Sequence, residues 1–228
     1  MNKAILAVSL LMSMCVLGIK QEAPTPDNNE KVLENEYVRV SKLDLGTKPS
    51  ELGLAALPTV VIILEQFTKA EWTELGSNQL TYKFVDISYA EGGHKLLYSI
   101  HEFPGPEFRE IKIELKGPPP VGTFEKDAVK LDPKHNEVLF ENDRVRVVRV
   151  HFLVGQEGPI VDKRPRVIIL LTDTHAQVRT PNGQLSPRDS LAGSIQWSLG
   201  GRQATINGNV GPLENIVVEL KVTESKPK

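Results

Sequence analysis

Valines alternate with a single arginine at two places in the chain, Val38-Arg39-Val40 and Val145-Arg146-Val147. Successive side chains of a strand point to opposite faces, so this period of two predicts strands with one buried and one solvated face. After Val147 the phase changes: Val148 follows directly, and Val150 and Phe152 continue on the other parity. A bulge or a move to another sheet would each account for that. Residues 60–64 and 167–171 are unbroken aliphatic runs, the pattern of strands covered on both faces. Pro181-Asn-Gly183 supplies a turn ahead of Gln184. Only residues 65–76, with Glu65, Phe67, Trp72 and Leu75, suggest a helical turn. Many short strands separated by turn residues predict an all-β chain, a sandwich or a barrel.

The strand signals recur in order. Glu34-Asn-Glu-Tyr-Val-Arg-Val40 matches Glu141-Asn-Asp-Arg-Val-Arg-Val147 at an offset of 107, and Pro58-Thr-Val-Val-Ile-Ile-Leu64 matches Pro165-Arg-Val-Ile-Ile-Leu-Leu171 at the same offset. Beyond the next turn the offset is 105: Gln79-Leu80 meets Gln184-Leu185, and Ile111-Lys-Ile-Glu-Leu-Lys116 meets Ile216-Val-Val-Glu-Leu-Lys221. Ordered matches with a single two-residue slip read as an internal duplication. The expected units are residues 31–116 and 135–222. Between them, residues 117–134 open with Gly117-Pro-Pro-Pro-Val-Gly122, an extended linker poor in backbone donors. Residues 19–30 and the tail 223–228 are polar and proline-containing, and are expected to be loose.

Composition narrows the class. The 228 residues are 40% hydrophobic and 25% charged, with a formal charge of −2, which excludes a disordered chain. A nucleic-acid binder would carry a basic stripe, and none is present. Lys3 followed by the weakly polar to apolar residues 4–18, ending Val16-x-Gly18, predicts a signal peptide (residues 1–18) and hence an exported protein, periplasmic or extracellular. The run is too short to cross a bilayer, which takes about 20 residues, so the mature chain is expected to have no membrane span. Cys15 is the only cysteine; Met14 before it speaks against a lipid anchor. Cleavage after Gly18 leaves a chain without disulfides that must rely on its core.

Residues 138–147 (Val-Leu-Phe-Glu-Asn-Asp-Arg-Val-Arg-Val), Arg164-Pro165 with its aliphatic strand, and the later Asn-Gly turn resemble the small cupin domain. So do Gly193, Trp197, the Gly200-Gly201 turn, Asn207 and Val217-Val-Glu-Leu-Lys221. The resemblance covers the second unit and, more weakly, the first. It implies two tandem cupin-like jelly-roll β-barrels, a bicupin. It also implies where metal ligands would stand: a His-x-His pair ahead of the proline, a glutamate four or five positions on, and a later histidine. In the second unit these slots fall at Asp162 and Arg164, at Ile168 or Ile169, and at Gln203. In the first they fall at Ala55 and Leu57, at Val61 or Ile62, and at Tyr98. No slot holds histidine, aliphatic side chains have no donor atoms, and arginine does not deprotonate. A three-residue shift would bring His101 into one first-unit slot, and a single imidazole makes no site.

Other chemistry is equally sparse. His135, His151 and His175 read as surface or locally hydrogen-bonded residues, and Lys163-Arg164-x-Arg166 as a solvated basic loop in preference to its alternative, an anion site. No phosphate loop or Gly-x-Ser-x-Gly elbow occurs. With Trp72 and Trp197 as the only indoles, a carbohydrate-binding sandwich is thinly supported. The sequence therefore predicts no catalytic residue, no metal and no cofactor. It predicts a non-catalytic bicupin that binds a small polar ligand or a protein partner, or serves as a structural module. Asp162, Arg164, Gln203 and Trp197 are its candidate pocket. The alternative is a metal-dependent cupin enzyme (dioxygenase, isomerase or decarboxylase) with atypical ligands. Whether two chains pair as a homodimer is left open.

Overall fold

The structure, a computed structural model, describes residues 30–46, 56–67, 81–91, 108–119, 121–208 and 211–221. The signal segment with Cys15, the helical turn expected over 65–76 beyond Phe67, Ala55, Tyr98, His94, His101 and the tail lie outside them. The described chain is all-β. Strands β1 (Glu30–Glu34), β2 (Val38–Gly46), β3 (Thr59–Phe67), β4 (Thr81–Ala90) and β5 (Phe108–Leu115) form one sheet, in the order β1-β2-β5-β3-β4. A short helix, α1 (Ala128–Leu131), follows inside the expected linker. Then come β6 (Asn136–Glu141), β7 (Val145–Phe152), β8 (Val161–Lys163), β9 (Arg166–Leu170), β10 (Thr174–Arg179), β11 (Leu185–Ser190), β12 (Ile195–Ser198), β13 (Gly201–Asn207) and β14 (Leu213–Leu220).

These last nine strands make two antiparallel sheets, β12-β9-β14-β7-β6 and β11-β10-β13-β8. Strands β7 to β14 are shared between the two sheets, four in each, the strand order of a jelly roll. The two five-stranded sheets repeat one another closely. Asn35 Oδ1 accepts from the amides of Tyr37 and Val38 at 2.8 and 2.9 Å, and Asn142 Oδ1 accepts from those of Arg144 and Val145, both at 2.9 Å. Each asparagine thus pins the hairpin that follows it. Leu115 N donates to Pro58 O and Leu220 N to Pro165 O, both at 2.8 Å. Glu34 holds Lys116 at 3.0 Å, and Glu141 holds Lys221 at 3.1 Å. Bulges interrupt β1 between Lys31 and Leu33 and β6 between Val138 and Phe140.

The change of phase after Val147 has a simple origin. Strand β7 pairs with β14 without interruption from Val145 to Phe152, and the only nearby bulge lies in its other neighbour, β6. Both faces of β7 are covered. Val145 and Val147 join Val167, Ile169, Ile216 and Val218 in a core shared with Val38, Val40, Val60, Ile62, Ile111 and Ile113 of the first sheet. The five-stranded sheets therefore pack face to face. Each such side chain contributes roughly 1.5–3 kcal/mol by leaving water. The opposite face of β7 turns toward the four-stranded sheet β11-β10-β13-β8, and Arg146 is carried there, 7% exposed. The solvated face expected for Arg146 is an interior one; Arg39, in contrast, is exposed.

Tyr37 stacks on Trp197 with ring centroids 5.6 Å apart, and Tyr89 on Phe140 at 5.9 Å. Both pairs join one five-stranded sheet to the other. Tyr89 lies opposite Val60 on β3 and Trp197 opposite Val167 on β9, so equivalent edge positions carry the two aromatic rings.

Candidate functional site

Strand alternation decides which side chains enter the space between the sheets β12-β9-β14-β7-β6 and β11-β10-β13-β8. On β8, paired with β13, Asp162 stands opposite Arg202 and Gln203 opposite Val161. Asp162 and Lys163 therefore point to opposite faces. Lys163 and Gln203 line an interior cavity of about 440 Å³, together with Arg166, Ile168 and Leu170 of β9 and Val217 and Glu219 of β14. The Gly200-Gly201 turn shapes one wall. Gly200 has φ +85°, and a Cβ there would lie 1.9 Å from the Lys163 carbonyl oxygen, so only glycine fits.

The four candidate residues separate. Asp162 faces outward, receiving Arg202 Nε at 2.6 Å and Nη2 at 3.1 Å and the Lys126 amide at 2.8 Å. The Arg202 hydrogen bonds hold its carboxyl below the usual range, against the opposing effect of burial. Arg164 lies over the Phe124 ring, 4.7 Å from its centroid, with Nη2 3.7 Å from Asp127 Oδ2. Neither residue lines the cavity, and they do not pair with each other. For Asp162 the reason is strand phase, since inward and outward positions alternate along β8; Arg164 lies past the end of that strand. Gln203 and Trp197 do border the cavity. The Trp197 ring, however, stacks on Tyr37, both half-buried against the core between the sheets.

What fills the inward positions is a basic cluster that had read as a solvated loop. Lys163 Nζ donates to Thr205 Oγ1 at 2.6 Å, and among the described residues no carboxylate lies within 4.0 Å of it. Burial pushes its amine down to about 7, the like charge of Arg166 adds to this, and Glu219 and Asp132 oppose it. Arg166 is 7% exposed; its Nη1 lies 4.0 Å from Glu219 Oε1, and its Nε has no hydrogen-bond partner among the described residues. Burial lowers it to about 10, with Glu219 opposing. Glu219 is already engaged: its Oε2 accepts from Arg146 Nε at 2.9 Å and Nη2 at 2.6 Å. Arg146 reaches on to Asp127, Nη1 to Oδ1 at 3.1 Å. Burial alone would lift the Asp127 carboxyl, but the bonds and charge of Arg146 hold it below its ordinary value. The supposed linker thus supplies a buried anion to the network and, with Ala128 and Val129, part of the cavity wall.

The cavity wall carries Lys163, Arg166 and Arg188 and a single carboxylate, Glu219, which Arg146 already engages. Asn215 Oδ1, also buried at the cavity, lacks a partner among the described residues. A divalent cation does not fit here: the polar lining is an ammonium, two guanidiniums, amides and hydroxyls, and its one carboxylate is spent on Arg146. Among the described residues no three His, Cys, Asp or Glu side chains converge as metal ligands. His135 is buried rather than superficial, with Nδ1 2.9 Å from Asp132, Nε2 3.1 Å from Gln156 Oε1, and its ring stacked on Phe152. In the first unit Glu110 is 2% exposed with Oε2 unpartnered, and burial raises its carboxyl to about 7 against the pull of Lys112.

The repeated Arg and Glu positions, Arg39 and Arg146 with Glu114 and Glu219, were a visible signal for part of this network. The inward turn of Lys163 had none, because it depends on the phase of a three-residue strand.

No protein-family description matches the chain, and no curated protein does. Among solved structures it is similar to a cupin domain from Bordetella pertussis, at 21% identity over 38% of this chain and 92% of that one, with a TM-score of 0.36. It is also similar to a Cupin 2 conserved barrel protein from Leptotrichia buccalis, at 9% identity over 85% and 88% with a TM-score of 0.43. AerE from Microcystis aeruginosa gives 10% identity over 84% and 96% with a TM-score of 0.45. The strand order itself carries the structural conclusion: the described residues are built almost wholly of strands, and β7 to β14 have the strand order of a jelly roll.

Proposed function

We propose that this chain is an exported bicupin without the cupin metal site, and that its second barrel binds a small organic anion. The observation that carries this reading is the basic cavity wall, where Lys163, Arg166 and Arg188 face a single carboxylate, Glu219, and Arg166 Nε has no partner among the described residues. A buried polar group without a partner costs roughly 1–3 kcal/mol. A carboxylate bound at Arg166 would supply the missing acceptor and neutralise the excess charge together. The cavity size, about 440 Å³, suits a small molecule. The duplication is supported by the repeated asparagine turns, Glu–Lys pairs and bulges. Export is supported by the pattern of residues 1–18 alone.

Calorimetry and thermal shift with lactate, acetate and benzoate, against glycerol as a neutral control, test the binding. Carboxylates should raise the melting temperature, and Arg166→Gln should abolish the rise. Equal responses to glycerol, or none to any acid, would refute the anion site. Stoichiometric iron, manganese, nickel or zinc in protein purified without added metal would favour the metal-dependent alternative. The mature N-terminus, sequenced after secretion, tests cleavage after Gly18.

A further inference from the structure

Lys163 has a place in the cavity that electrostatics alone does not require. It sits beside Arg166 on the lining, its amine is held by one neutral hydroxyl, Thr205 Oγ1 at 2.6 Å, and no carboxylate is within ion-pair distance among the described residues. A lysine withdrawn from water next to a second cation is the arrangement in which an amine becomes a nucleophile near neutral pH. We propose that the anion bound here is a small oxo acid, whose carboxylate rests on Arg166 while its carbonyl carbon condenses reversibly with Lys163 Nζ. This rests on the anion-binding reading above and extends it from ligand charge to ligand class.

The step balances without an oxidant or reductant. The Nζ lone pair attacks the carbonyl carbon, and the carbonyl π pair moves to oxygen, which takes up a proton released by the amine. The resulting carbinolamine loses its hydroxyl, with a second proton, as water and leaves an imine. Thr205 Oγ1, in contact with Nζ, is positioned to pass protons between nitrogen and the departing oxygen. The charged groups acting on the amine are Arg166 on β9, Glu219 on β14 and Asp132 before β6, and Arg188 of β11 also lines the cavity. Burial and Arg166 bring the amine down to about 7, so a reactive neutral fraction exists at neutral pH.

The full chain, treated with pyruvate and cyanoborohydride, tests this by intact mass and peptide mapping. One reduced adduct per chain, located at Lys163 and suppressed by excess lactate, is expected. Its rate should climb as pH approaches 7. Lys163→Arg, which keeps the positive charge, should give no adduct while its circular dichroism and cooperative unfolding match those of the unaltered chain. If pyruvate and lactate both bind and no adduct forms, the imine is wrong and the anion site stands. If neither acid binds, both readings fall. Adducts spread over surface lysines and insensitive to lactate would also overturn the imine.

Discussion

Arg146 and Glu219 stand directly opposite one another on β7 and β14, their charged groups 2.6 Å apart and almost wholly buried. The same pair recurs in the first unit as Arg39 and Glu114, opposite one another on β2 and β5, but at 3.5 Å and with the arginine side chain 45% exposed. One geometry in two surroundings allows a direct comparison. Arg146→Met should cost about 3–5 kcal/mol, because it leaves Glu219 and Asp127 buried without their main partner. Arg39→Met should cost less than about 1 kcal/mol, since water screens the exposed pair. Urea denaturation of both variants checks the contrast, and equal losses would show that burial does not set the difference.

Two groups should shape the pH dependence of stability in adjacent windows. Glu110 is raised from its model-peptide value of 4.5 to about 7, so the folded state holds a proton that the unfolded chain has lost. Its contribution is full below 4.5 and disappears as pH rises through 7. Lys163 is lowered from 10.5 to about 7, so above 7 the unfolded chain binds the extra proton and stability rises with pH toward 10.5. Together they place a minimum near neutrality, each arm on the order of a few kcal/mol. Denaturation midpoints from pH 4 to 10 measure the profile. Glu110→Gln should flatten only the acid arm and Lys163→Met only the alkaline one.

Gly200→Ala should be among the most damaging single-methyl changes. The added Cβ would meet the Lys163 carbonyl at 1.9 Å, and φ is +85°. A loss of about 3 kcal/mol or more is expected from strain and displacement combined. Because the clash pushes on Lys163, lactate affinity should fall as well. Gly183→Ala, also at positive φ but in open space, should lose stability and leave affinity unchanged.

Trp197→Ala should weaken the packing of the two five-stranded sheets rather than the cavity. The indole stacks on Tyr37 but is only half-buried, so the loss should be at or below about 3 kcal/mol, the low end for core aromatics. Trp197→Phe should keep lactate affinity within about twofold while stability falls by roughly 1 kcal/mol. A large affinity loss in Trp197→Phe would return the side chain to the ligand site.

The local features were legible in the chain itself. Alternating valines and aliphatic runs marked strands. The repeated Glu-Asn segments foretold hairpins that Asn35 and Asn142 pin with their own side chains, an interaction that spans only three residues. Pro58 and Pro165 recur because the carbonyl of each receives the same closing amide, from Leu115 and Leu220. What the tertiary structure alone decided is which side of each strand meets which surroundings. Arg146 read as solvated because one face of its strand is plainly apolar, yet the other face closes a barrel and is buried on charge pairs. Asp162 seemed inward and Lys163 holds that place, because side-chain direction has a period of two and a shift of one residue exchanges the faces; Arg164 follows the end of β8 and takes no part in that alternation. Local sequence sets that period; its phase comes from the distant strands that a short segment pairs with, here β13 against β8 and β14 against β9.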